Sequence, residues 1–183
     1  MTVVVVGGSA SNVGKTTLAT GLIRRHAARG RTVAVKVSVR ERAGETVVLT
    51  LRPGDDAEHR RDTGKLLAAG AACVIWVTVS RAAVRAGLAR GLAAARRLRP
   101  ATVVFESTSA GIELRRVDDS WFVAGAGAWK PWAERHRRRA DHVVSSDDAC
   151  ALAELPPSAA GVLVLAPAPH PLRDGIAHLA GAL

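Results

Sequence analysis

A chain of 183 residues that is 48% hydrophobic suits a single domain spanning residues 1–183 and is too apolar to stay disordered. Its formal charge of +10 raises the question of nucleic acid, but no recognition motif accompanies the arginines. With two phenylalanines and no tyrosine there is little from which to build a base-stacking platform, so a nucleic-acid partner is not expected. Cys73 and Cys150 are far apart and outside any Cys-x-x-Cys, which argues against a disulfide framework or a zinc knuckle.

The β-branched run at 2–6 predicts a strand buried on both faces. It is far too short for a membrane span and no signal peptide precedes it, so the sequence reads as soluble and cytoplasmic. Residues 7–14 form a glycine-rich loop. A helix is expected over 16–29, with Leu18, Leu22, Ile23 and His26 at helical spacing and Gly30 as its stop. A second apolar strand follows at 32–39. The polar stretch 40–55 holds a short strand at 47–51 and turn chemistry at Pro53-Gly54-Asp55-Asp56, before a helix over 57–69. Strands are then expected at 72–79, 102–105, 119–124, 142–145 and 161–166. Helices are expected at 81–98, 131–139, 147–155 and 170–182. This alternation predicts an α/β fold, a mostly parallel twisted sheet with helices on both faces, because parallel strands need crossover connections.

The most informative segment is Gly7-Gly8-Ser9-Ala10-Ser11-Asn12-Val13-Gly14-Lys15-Thr16-Thr17, placed between a predicted strand and a predicted helix. That context suits a phosphate-binding loop. Loop N–H groups from Gly8, Ser9, Ser11, Asn12, Val13, Gly14 and Thr17 can solvate phosphate oxygens at a helix N-terminus. Lys15 supplies a mobile charge for the β- and γ-phosphates, and the Thr16 hydroxyl is suited to ligate Mg2+. The expected ligand is therefore a purine nucleoside triphosphate, GTP or ATP, with Mg2+. Ser9 stands where the common motif has glycine, and the glycine is one residue earlier, at Gly8.

With that shifted glycine, the loop resembles the P-loop of dethiobiotin synthetase, the cobyrinic acid amide synthases and the nickel-chaperone GTPases. Within this class, Ser11-Asn12-Val13-Gly14-Lys15-Thr16-Thr17-Leu18 most resembles the loop of the molybdopterin-guanine dinucleotide biosynthesis protein B family. Arg52-Pro53-Gly54-Asp55-Asp56, with Ala69-Gly70-Ala71 before the next strand, resembles that family's second block. The chain departs from the family at Asp55, where a lysine is usual, and at Val37-Ser38-Val39, where a histidine often follows the lysine of strand two. The resemblance implies the P-loop NTPase fold, slow hydrolysis, work alongside a cofactor-biosynthesis enzyme, and a homodimer.

Ligands of parallel sheets sit at the C-terminal strand ends, where three more residues are expected. Lys36 lies in an apolar strand, costly to bury unless an anion meets it. The resembled synthetases carry a lysine near the transferred phosphate at this strand end. Glu106 tips the fourth buried strand, well placed for Mg2+ or its water shell, and resembles the synthetases' Glu-Gly with Ser107 in place of glycine. Lys15, Lys36 and Glu106 are thus the expected catalytic residues. Thr16, Glu106 and Asp56 are the expected metal ligands, with Asp55 and Asp62 as competitors of Asp56. The segment Trp129-Lys130-Pro131 is a candidate wall for the base, and the absence of Asn-Lys-x-Asp leaves GTP and ATP both open. Three functions fit: an accessory NTPase of molybdenum-cofactor or related biosynthesis, an ATP-dependent kinase or ligase like dethiobiotin synthetase, or a GTP-dependent metal-delivery switch.

Overall fold

A computed structural model describes residues 1–41, 44–55 and 62–155. The strand expected at 161–166, the helix at 170–182 and the first turn of the helix at 57–69 lie outside the described residues. The elements are β1 (Thr2–Gly8), α1 (Lys15–Ala27), β2 (Thr32–Arg40), β3 (Val47–Leu51), α2 (Asp62–Ala68), β4 (Cys73–Ser80) and α3 (Val84–Arg97). They continue with β5 (Thr102–Glu106), α4 (Thr108–Glu113), β6 (Asp119–Ala124), α5 (Ala133–Arg137), β7 (His142–Ser145) and α6 (Ser146–Glu154).

The strands form one sheet in the order β3-β4-β2-β5-β1-β6-β7. Every pairing is parallel except β3 on β4, at the edge. The expectation of a mostly parallel α/β sheet holds. Alternation along β1 shows how the core is divided. Val4 and Val6 pack with Leu18, Ile23 and Leu152 of α1 and α6. Val3 and Val5 pack on the other face with Leu88, Ala95 and Ala110 of α3 and α4. A strand buried on both faces needs this uninterrupted run of apolar residues, whereas the edge strand β3 leaves Val47 and Leu49 nearly half exposed. Among the described residues, no helix is long and apolar enough to cross a membrane.

Two differences from the sequence-based elements bear on the site. Residues 107–111, expected as loop, begin α4, with Ser107 as its cap accepting a hydrogen bond from the Ala110 N–H at 3.3 Å. Six residues including a glycine are too few to show helical periodicity. The helix expected at 131–139 contracts to Ala133–Arg137.

His136 of α5 is completely buried and wedges against β1 and α4. Its ring meets Phe122 edge to face at 5.5 Å, and its Nε2 lies 3.0 Å from Ser120 Oγ. Burial, with Arg139 nearby, pushes its pKa down from 6.5 to about 4. Below the ordinary value the unfolded chain takes up a proton that the folded chain refuses. This contribution is therefore intact above about pH 6.5 and is lost as the pH falls towards 4, by roughly 3 kcal/mol over the whole window. His26, also lowered by burial, acts in the same direction. Urea unfolding between pH 7 and 5 should show stability falling with acid, with a clearly shallower slope in His136→Gln. Equal slopes would contradict this account of the buried ring.

Candidate functional site

The C-terminal ends of β1, β2 and β5 open into a cavity of about 780 Å3. Residues 11–17 line it together with Lys36, Asp62 and Glu106. The loop closes onto α1 through Gly14, whose φ of 94° is readily adopted only by glycine, and Asn12 takes the left-handed region at φ 58°.

Gly8 and Ser9, expected to contact the phosphates, do not line the cavity; they anchor the loop from beneath. Ser9 is fully buried, its Oγ accepting a hydrogen bond from the Gly125 N–H at 2.9 Å. Its N–H donates to Val123 O, and its carbonyl accepts from the Lys130 N–H, each at 2.9 Å. A serine therefore replaces the usual glycine with a physical consequence: its side chain pins the loop to the exit of β6. At Gly8 a Cβ would lie 2.8 Å from Val13 Cγ2 and 2.9 Å from Lys15 Cγ, so only glycine lets the Lys15 stem cross there. The Gly8 N–H and carbonyl are both bound by Thr108 Oγ1, at 3.1 and 2.9 Å, tying the loop to α4.

Behind the loop lies a charged chain of contacts. Thr16 Oγ1 donates to Glu106 Oε1 at 2.7 Å. Lys36 Nζ donates to Glu106 Oε2 at 3.0 Å and to Asp62 Oδ2 at 2.8 Å. The parallel register sets this up, since Lys36 of β2 is directly opposite Glu106 of β5. Glu106 is 6% exposed. Burial disfavours the Lys36 charge, but Glu106 and Asp62 outweigh it and its pKa is raised. Burial likewise opposes the Asp62 charge, and the hydrogen bond from Lys36 reverses this and lowers its pKa. Lys15 shows the opposite balance. Its Nζ donates to the Ala10 carbonyl, and burial followed by the nearby Lys130 lowers its pKa.

Asp56 lies outside the described residues; among its competitors, Asp62 is at the site, and Asp55 instead accepts from the Arg52 N–H at 2.7 Å in the turn. Of the segment proposed for the base, Lys130 lines the cavity, whereas Trp129 packs on Phe122 at 5.4 Å and donates to Gly125 O. Trp132, Arg81, Ser146, Asp147 and Cys150 also line it, none of them singled out by the sequence. They come from three separate strand ends and lack a shared motif. Among the described residues, no group of three or more His, Cys, Asp or Glu converges as a metal cage.

No protein-family model matches this chain, and no curated protein sequence matches it. The structure is similar to that of LpxK from Aquifex aeolicus, solved in complex with ATP, with a TM-score of 0.52 and 15% sequence identity. The likeness is one of fold, a mostly parallel α/β sheet flanked by helices. The likeness covers 79% of this chain and 48% of that one, so it extends over about half of the neighbour's length.

Proposed function

We propose that this chain binds a purine nucleoside triphosphate with Mg2+ and acts on its γ-phosphate. The observation that carries the reading is the chain of contacts from Thr16 through Glu106 to Lys36, immediately behind a strand–loop–helix phosphate loop. The ATP bound by the structurally similar LpxK supports it. The loop N–H groups and the α1 N-terminus would receive the phosphates. Lys15 would exchange the Ala10 carbonyl for phosphate oxygens, with its lowered proton affinity restored by the new anion.

The donors near Thr16 are a hydroxyl and two carboxylates, a hard-oxygen set that fits Mg2+, which commonly takes one or two carboxylates and completes its shell with phosphate and water. Thr16, Glu106 and Asp62 are the described residues that would hold it. Bound there, Mg2+ would supply charge neutralisation for the phosphates. Glu106 orients the Thr16 hydroxyl, and Lys36 fixes the Glu106 carboxylate from its other oxygen.

In hydrolysis, a water oxygen forms the new bond to the γ-phosphorus as the bridging P–O bond breaks. The nucleoside diphosphate leaves and the water's protons pass to phosphate and solvent. Slow hydrolysis in support of a cofactor-biosynthesis enzyme is our first reading, resting on the resemblance of residues 11–18 and 52–56. A kinase or ligase reading is favoured by one observation: the cavity continues past Lys36 to Val37, Ser38 and Lys65, beside where a transferred phosphate would emerge.

Calorimetric titration with non-hydrolysable GTP and ATP analogues, with and without Mg2+, tests the common core. Mg2+ should strengthen triphosphate binding in the wild type, and Glu106→Gln should weaken that Mg2+ dependence about 10–100-fold, as loss of a ligand-orienting partner does. Mg2+ dependence unchanged in Glu106→Gln would remove the carboxylate from the site. Turnover that rises sharply with an added acceptor would favour the kinase or ligase reading over the accessory one.

A further inference from the structure

Of the five cations that line the cavity, three form no ion pair among the described residues. Lys36 is matched by Glu106 and Asp62, and Lys65 shares Asp62 at 3.8 Å. Among the described residues, Lys15 donates to the Ala10 carbonyl and forms no ion pair, and the Lys130 side chain has no carboxylate partner. The third such cation is Arg81, in the turn between β4 and α3. It forms no ion pair among the described residues; its guanidinium instead lies over the Trp132 ring, 4.0 Å from the centroid. Both side chains line the cavity. In the sheet β4 and β6 are separated by β2, β5 and β1, so this contact joins two sides of the cavity that no backbone pairing connects.

The nature of that contact matters. A carboxylate would position Arg81 by occupying its N–H donors and cancelling its charge. The face of an indole holds the guanidinium plane while leaving the in-plane donors free for an anion. An arginine held this way, in the lining of the cavity that Lys15 and residues 11–17 also line, has the chemistry of a residue that grips a phosphoryl group through a planar fork. We propose that Arg81, positioned by Trp132, is this chain's own arginine for the terminal phosphate of the triphosphate, so that it distinguishes triphosphate from diphosphate. The inference rests on the nucleotide-binding reading above and adds to it the residue that reads the third phosphate.

The test compares the affinity for a non-hydrolysable triphosphate with that for the matching diphosphate, both with Mg2+. Wild type should prefer the triphosphate. Arg81→Ala should lower that preference at least tenfold with diphosphate affinity unchanged, and Arg81→Lys, which lacks the fork, should restore only part. Trp132→Ala should mimic Arg81→Ala, Trp132→Phe should retain most of the preference, and the double alanine variant should be no worse than either single one. Arg81 is exposed and its side chain forms no ion pair among the described residues, so unchanged melting temperatures are expected for the Arg81 variants. A merely structural role would not move the triphosphate-to-diphosphate ratio. A wild type that binds both nucleotides, with the ratio unchanged in Arg81→Ala, would overturn this inference alone. A folded wild type that binds neither would overturn the reading beneath it as well.

Discussion

Lys15→Ala is expected to abolish triphosphate binding at ordinary concentrations while leaving the fold intact. The two halves of this expectation have separate physical grounds. Lys15 is only partly buried, its pKa is held down by burial and by Lys130, and among the described residues its ammonium has one hydrogen-bond partner, the Ala10 carbonyl. Removing it deletes no core contact and relieves repulsion among neighbouring cations, so the melting temperature should not fall. In the bound state the same ammonium would be a desolvated partner to phosphate charge. Truncating one side of such a pair costs about 2–5 kcal/mol, or roughly 30- to 4000-fold in affinity. Calorimetry on wild type and variant, with thermal unfolding as the control, checks both halves. A variant that binds the triphosphate as tightly as wild type would show that the cavity does not hold phosphate where the loop implies.

Gly111→Ala should be one of the most damaging single substitutions in the chain, although residue 111 touches no proposed ligand. A Cβ there would lie 2.1 Å from His136 Nε2 and 2.4 Å from its Cε1. The ring has nowhere to go. Its other edge is against Gly7, where a Cβ would meet Nδ1 at 2.1 Å, Phe122 packs on it edge to face, and Ser120 Oγ holds its Nε2. Overpacking of this kind costs about 3 kcal/mol or more, because the backbone of α4 or β1 must shift. His136→Ala alone should cost roughly 2–4 kcal/mol by leaving a cavity. In the double variant the three nearest atoms to the new Cβ are gone, so its cost should fall below the sum of the single costs by more than about 1 kcal/mol. Denaturant unfolding of the four proteins measures this directly. Strict additivity would mean that the helix, and not the imidazole, resists the added methyl group.

The fold was readable because its signals are local and redundant. The valine run of β1 cannot be exposed on either face, and the loop that follows can bend as it does only with Gly8 and Gly14 where they stand. Such patterns survive in any single sequence because they reflect period and backbone chemistry. Lys36 and Glu106 could be marked from sequence for a similar reason: a charged residue near the end of an apolar strand demands a partner. Helix α4 was missed because six residues carry too little periodicity, and its start depends on a Ser107 cap at the exit of β5.

The sequence by itself determined the glycine-rich loop between strand and helix, the alternating strands and helices, and the two charged strand tips, because each is written within a dozen consecutive residues. Tertiary structure alone decided that Lys36 faces Glu106 across adjacent strands, that Asp62 is its second partner, and that Ser9 anchors the loop to Gly125. It also decided that Arg81 meets Trp132. These pairings join residues 26 to 116 positions apart, and only the sheet order sets which strand ends become neighbours. Strand order follows from how crossovers pack over the whole core, and no short stretch of sequence records it.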